Sequence, residues 1–321
     1  MSDRENPIEC LVVTGALGAL GWKLLLHLAE TGAISHIIGL DIRGITNDEK
    51  LELEKARSGS NATGQSVDIE LLECDLRNWE DNRWQQAFEE ADAVVHLAVQ
   101  NVWPDAPWND AMASFAMTVN AATVALNEDR IKRFVCASSN HAVGRYKDEP
   151  LAGTIAPRGL TTDLEPAPGT RWFNGKEHID SYKYGSSKVA METLCRAYAD
   201  MGKGNTSFVC VRIGWCQHGI NTPERIAISW DQERSGEEDL PDGWSKDLKW
   251  FKEMWLSDRD YCHLMERAVF SDASTWPGSF LIVNGVSDNG KMAWSLQEAQ
   301  TYLQYQPKDS VYDAYAESRD E

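Results

Sequence analysis

No apolar stretch in this 321-residue chain approaches the ~20 residues needed to cross a bilayer, and Met1–Pro7 lacks the basic-then-apolar layout of a signal peptide. The seven cysteines, at positions 10, 74, 136, 195, 210, 216 and 262, include no CxxC, and the seven histidines show no HxxxH spacing. That pattern predicts no metal site, and an odd, scattered set of thiols argues against a disulfide framework. Four of the cysteines sit in apolar strand-like runs, where a free thiol behaves as a small hydrophobe. The expected compartment is the reducing cytoplasm. Positive charge is scarce, with 31 Lys and Arg against 50 Asp and Glu, a formal net charge of -19. The average field repels nucleic acid and anionic membranes, and a site for an anionic small molecule must overcome it with local donors. Internal repeats and low-complexity tracts are also missing, which excludes a repeat array.

What remains is an ordinary globular composition, long enough for one large domain or a core with a small appendage. Near-continuous apolar runs at residues 8–13, 36–41, 69–75, 93–98, 133–139 and 207–213 alternate with helical patterns. Such runs read as strands buried on both faces, so the expected fold is α/β, a doubly wound parallel sheet of the Rossmann type. Residues 44–66 read as a helix start and loop between the second and third strands. Residues 146–178, with four prolines and four glycines, read as a long surface excursion. Residues 231–248 are acidic and loop-like. Several of the thirteen tryptophans lie between Trp215 and Trp255, where they either line a pocket or fill a core.

Thr14-Gly15-Ala16-Leu17-Gly18-Ala19-Leu20-Gly21 spaces glycines three apart between the first strand and the first helix. Glycine permits the tight turn and lets backbone N–H groups reach a pyrophosphate, which also faces the positive end of the helix. Asp41 ends the second strand, 20 residues after Gly21, where a carboxylate accepts hydrogen bonds from ribose hydroxyls. It repels a 2′-phosphate and favours NAD over NADP, while Arg43 pulls the other way. Asp75, at the end of the third strand, is placed to face the adenine. Asn120, inside a helical run, either bonds backbone, orders a water or lies on a solvated face.

Tyr184-Gly185-Ser186-Ser187-Lys188 opens an amphipathic helix, and residues four apart share one face. A free tyrosine loses its proton near pH 10, so a phenol used as a base at neutrality needs a cation beside it. Tyr182 has no lysine four residues on. Ser138 and Ser139 end the fifth strand, at the sheet edge where open α/β folds bind ligands, and Asn140 and His141 add polar groups there.

Taken together, Gly15-x-x-Gly18-x-x-Gly21, Asp41, Asp75-Leu76, His96-Leu97-Ala98, Asn120, Ser139 and Tyr184-x-x-x-Lys188 resemble the extended short-chain dehydrogenase/reductase family over about residues 8–215. This branch includes nucleotide-sugar epimerases and dehydratases. The resemblance implies that Tyr184 is the acid/base, that Lys188 binds the nicotinamide ribose and assists proton loss by Tyr184, and that Ser139 bonds the substrate oxygen. It implies NAD contacts from Gly15, Leu17, Gly18, Asp41, Ile42, Asp75, Leu76, Leu97, Ala98, Asn120, Tyr184 and Lys188, and a homodimer. Within the branch, residues 137–144, 211–214 and 255–260 look most like uronate dehydrogenases, which oxidise C1 of a hexuronic acid and reduce NAD. By that resemblance Ser139, Asn140 and His141 contact the sugar, and Asn101 stands where a substrate-binding serine is expected.

Two positions depart from that pattern. Trp215 replaces a small serine, and Arg225 is the nearest candidate to hold a carboxylate, one position off. The expected organisation is an NAD-binding core at 1–214, interrupted by 146–178, followed by substrate-binding and closing segments at 215–321. The leading expectation is an NAD-dependent sugar 1-dehydrogenase whose partner is a small sugar. The alternatives are a nucleotide-sugar epimerase or dehydratase retaining its NAD, for which only 107 residues after Gly214, many acidic, remain to grip a diphosphate. A non-catalytic dinucleotide sensor is the other, and it has no need of Ser139, Tyr184 and Lys188.

Overall fold

The computed structural model describes residues 8–58, 67–101, 103, 105–174, 176–202, 204–226 and 246–313. Most of the acidic segment 231–248 and part of the Trp-rich stretch lie outside these described residues. Strands β1 (Cys10–Thr14), β2 (His36–Asp41), β3 (Asp68–Glu73), β4 (Ala93–His96) and β5 (Arg133–Ser139) alternate with helices α1 (Ala19–Thr31), α2 (Asn47–Ser58), α3 (Asn82–Glu90) and α4 (Trp108–Asn127). A small antiparallel hairpin, β6 (Arg171–Phe173) and β7 (His178–Asp180), then leads into α5 (Tyr182–Asp200) and β8 (Ser207–Ile213). The chain ends in α6 (Lys246–Glu253), α7 (Asp258–Phe270), β9 (Phe280–Gly285) and α8 (Gln297–Tyr302).

Seven strands form one parallel sheet in the order β3-β2-β1-β4-β5-β8-β9. Both faces are covered, and the two-residue side-chain period sorts each strand between them. In β1, Leu11 and Val13 enter one apolar cluster while Cys10 and Val12 enter the other. In β5, Val135 and Ala137 oppose Phe134 and Cys136 in the same way. The six strands read from the apolar runs are all present. The seventh, β9, was not among them, and it makes the C-terminal third complete the sheet as well as flank it.

The sheet face toward α5 also brings together what the cysteine spacing hid. Cys136 on β5, Cys195 on α5 and Cys210 on β8 are fully buried, with their sulfurs within 4.8 Å of one another. They lie among Phe134, Phe208 and Met191 as small apolar groups. Above them Arg212 of β8 grips Glu192 of α5 through two bonds of 2.8 Å, and Ser138 donates to the same carboxylate at 2.6 Å.

The excursion 146–178 is less peripheral than its composition suggests. Leu160 is fully buried and runs beside Trp294. Its N–H donates to Ala293 O, and its carbonyl accepts from Ser295 N–H and from Asn284 Nδ2. Asp260, on α7, is likewise enclosed and accepts from Ser287 Oγ and from the N–H groups of Lys308 and Asp309. The segment 255–260 thus holds residues 308 and 309 in place.

Candidate active site

The cofactor end is built at the carboxyl edge of β1 and β2. Gly15 has φ +67°, a region other residues rarely adopt, and a Cβ there would fall 2.9 Å from Ala98 Cα. Gly18 caps α1 with no side-chain partner, which leaves the helix end open to an anion. One oxygen of Asp41 accepts from Leu17 N–H at 2.9 Å, fixing the turn against β2, and the other accepts from Arg43 N–H at 3.3 Å. The Arg43 guanidinium is taken up by Glu49, at 2.9 and 2.6 Å, and by Leu17 O at 2.7 Å. That ion pair holds the Glu49 carboxyl down to about 2, so Arg43 is occupied within the protein.

Asp75 is paired with Arg77, which reaches on to Gln100 Oε1. Ile42 is 60% exposed beside Asp41, an apolar surface on which a planar base can rest. Leu76 and Leu97 are buried, and Ala98 lines the turn at Gly15. Asn120 resolves to one of its alternatives, since its Nδ2 donates to Leu76 O at 2.7 Å and clamps the strand-end loop to α4. Beneath the turn, His96 bridges Thr14 Oγ1 at 2.8 Å and Thr118 Oγ1 at 3.1 Å. Burial pushes its imidazole down to about 4, so this brace is neutral.

The chemistry end forms where α5 starts against the turn after β5. Gly185 allows that approach, because a Cβ there would collide with the His141 carbonyl oxygen. Tyr184 meets His141 edge-on with ring centroids 5.8 Å apart. Lys188 is buried, its Nζ 5.4 Å from the Tyr184 ring centroid and bonded to Ala137 O at 2.8 Å. Ser139 Oγ accepts from His141 N–H at 3.2 Å, which leaves its own proton to donate elsewhere. His141 Nδ1 lies 2.7 Å from Ser181 Oγ and 3.1 Å from Thr170 Oγ1. Ser181 Oγ also accepts from Thr170 N–H at 2.8 Å, so two hydroxyls fix the ring of His141 through Nδ1. Burial lowers the His141 imidazole to about 4.

The remaining sugar-contact candidates are less uniform. Asn140 is buried beside Ser139, and neither its Oδ1 nor its Nδ2 has a partner among the described residues. Trp215 follows β8, next to β5 in the sheet, and its Nε1 is buried without a partner. Asn101 is turned to local work, donating to Asp110 and accepting from Trp103 N–H. Arg225 Nη1 donates to His218 O at 2.9 Å and to Ile220 O. Sequence reasoning missed Trp172, whose ring lies 6.5 Å from that of His141, and the orienting pair Thr170 and Ser181. All three sit in or beside the excursion, and their spacing holds no signal.

The pattern of the NAD dependent epimerase/dehydratase family matches residues 11–215. The chain belongs to this family. NAD is its cofactor, and the glycine turn, the uncapped α1 and Asp41 fit that group. The chain is 30% identical over 289 residues to L-arabinose 1-dehydrogenase (NAD(P)(+)) of Haloferax volcanii, spanning 89% of this chain and 98% of that one. It is also 30% identical over 306 residues to NAD-dependent glucose-6-phosphate dehydrogenase of the same organism, spanning 94% and 93%. A solved structure of a mutated uronate dehydrogenase superposes with a TM-score of 0.63 at 24% identity, covering 98% of this chain and 86% of that one, and shares the fold. Among the described residues no helix is long and apolar enough to cross a membrane.

Proposed function

We propose that this chain oxidises a free sugar at C1, a hexuronic acid or related aldose going to its lactone, with Tyr184 as general base. The observation that carries the reading is the convergence of Tyr184 and Lys188, at the start of α5, on the Ser139–His141 turn. The C1 hydroxyl proton passes to the ionised phenol oxygen of Tyr184 while hydride leaves C1, and the carbonyl of a lactone remains. NAD, when bound, accepts that hydride. Ser139 donates its free proton to the reacting oxygen, and neutral His141 presents Nε2 to a neighbouring hydroxyl. Lys188 places a positive charge beside the phenol and binds the nicotinamide ribose. Gly15, Leu17 and Gly18 cradle the pyrophosphate, Asp41 takes the adenosine ribose, and Ile42, Asp75, Leu76, Leu97, Ala98 and Asn120 line the rest.

Residues 1–214 supply cofactor and catalysis in this reading, and 215–321 supply substrate contacts. Exposed Trp108 and Met112 on α4, with Tyr182 on α5, support a homodimer through this helix pair. Seven free cysteines support a cytoplasmic site of action. The test follows NADH absorbance while the protein and NAD are offered free sugars. An active sugar should appear, and Tyr184→Phe should lower kcat by about 1,000-fold with little change in NAD affinity. Unchanged turnover in Tyr184→Phe would remove the general base.

A further inference from the structure

The geometry points to an uncharged aldose as the substrate, its ring face laid on Trp172 and its hydroxyls read by Asn140 and Trp215. This rests on the C1-dehydrogenase reading and narrows it. A site for a uronate or a sugar phosphate needs a cation free to meet the anion, since a desolvated charge without a partner is strongly disfavoured. Three basic side chains on the described segments near the Ser139–His141 turn and β8 have partners inside the protein. Arg225 donates through Nη1 to two loop carbonyls, Arg145 pairs with Asp180 at 3.0 Å, and buried Lys147 lies 2.8 Å from both Asp148 and Asp247.

In their place stands an aromatic wall. From Tyr184 it runs through His141 to Trp172, on to Phe251 at 6.1 Å and to Trp215 at 5.6 Å between ring centroids. Trp172 and Trp215 are only half-buried, so each keeps surface for a ligand. The apolar C–H face of a sugar packs against such a surface, and the negative faces of the rings disfavour an anion. Buried polar atoms without partners are rare in folded proteins, and those found among the described residues include Asn140 Oδ1, Asn140 Nδ2 and Trp215 Nε1. One amide offers an acceptor and a donor side by side, the complement of two adjacent hydroxyls. A carboxylate, which only accepts, would meet Asn140 Oδ1 with no proton between them. Asn140, Trp172, Trp215 and His141 are neutral, so these four bring no positive charge to set against an anion, and Lys188 is bonded to Ala137 O beside the Tyr184 phenol.

The experiment measures kcat/KM for sugars that share a ring and differ at C6, neutral against anionic: D-glucose with D-glucuronate and with glucose 6-phosphate, and D-galactose with D-galacturonate. L-Arabinose and D-xylose, which lack C6, complete the set. The neutral member of each pair should win by on the order of 100-fold. Trp172→Ala should raise KM for the neutral sugar roughly tenfold with kcat changed less, and Trp172→Phe should recover most of the loss. Equal or better use of a uronate or the phosphate would overturn the inference and leave C1 oxidation standing. A Trp172→Ala enzyme with unaltered KM would remove the aromatic platform. Failure of every sugar to yield NADH would sink the dehydrogenase reading beneath it.

Discussion

His96 and His141 are buried and neutral, each lowered from 6.5 to about 4, and neither has a carboxylate partner to offset a proton. The unfolded chain binds protons at these positions first, so stability is full above about pH 6.5 and is lost as pH falls toward about 4. Each histidine accounts for up to about 3 kcal/mol across that window. Thermal unfolding recorded from about pH 7 to about pH 5 should show the midpoint dropping, and His141→Gln should flatten the decline. A midpoint level over that range would contradict neutral burial. At this scale the meeting of Ser139, Tyr184 and Lys188 at one sheet edge was legible in the sequence, because these residues are tied to a strand end and to helical spacing. Thr170, Ser181 and Trp172 were not, because what brings them to His141 is the path of the excursion and no local pattern encodes that path. Arg225 illustrates another case, a plausible residue type whose Nη1 is turned back to carbonyls of its own loop.

Among elements, α5 does the most positioning. Its first turn holds Tyr184, its second Lys188, and its third Glu192, which accepts from Arg212 on β8 and Ser138 on β5. The three side chains are almost wholly enclosed, so removing the carboxylate strands a guanidinium in a dry interior. Glu192→Ala should therefore cost about 3–5 kcal/mol in urea unfolding. A loss below about 1 kcal/mol would mean that water or another group reaches Arg212. Strand reading succeeded where apolar runs alternated regularly with helices. It stopped short of β9 because the acidic segment and the clustered tryptophans after Trp215 break that rhythm. The glycine turn was readable for a physical reason, since Gly15 and Gly21 pack where side chains cannot.

Over the whole molecule, a net charge of -19 opposes the approach of NAD, itself an anion. Screening weakens that repulsion, so KM for NAD should fall several-fold as ionic strength rises from about 0.01 M to about 0.15 M, with kcat nearly constant. A rise in KM over the same range would show that local positive donors dominate the encounter. Charge totals and fold class were legible from composition and periodicity, whereas the packing of the excursion depends on contacts between distant parts of the chain. The seam at Leu160 is the clearest of these, since it bonds to residues 124 positions away and beyond. It also sets an order in time. A growing chain holds every strand of the nucleotide half long before the segment around Trp294 exists, so it acquires a seat for the cofactor early. The stretch that carries Trp172 is held at first by its own contacts with His141, Asp148 and Ser181, and its fastening at Leu160 waits until the segment around Trp294 has left the ribosome.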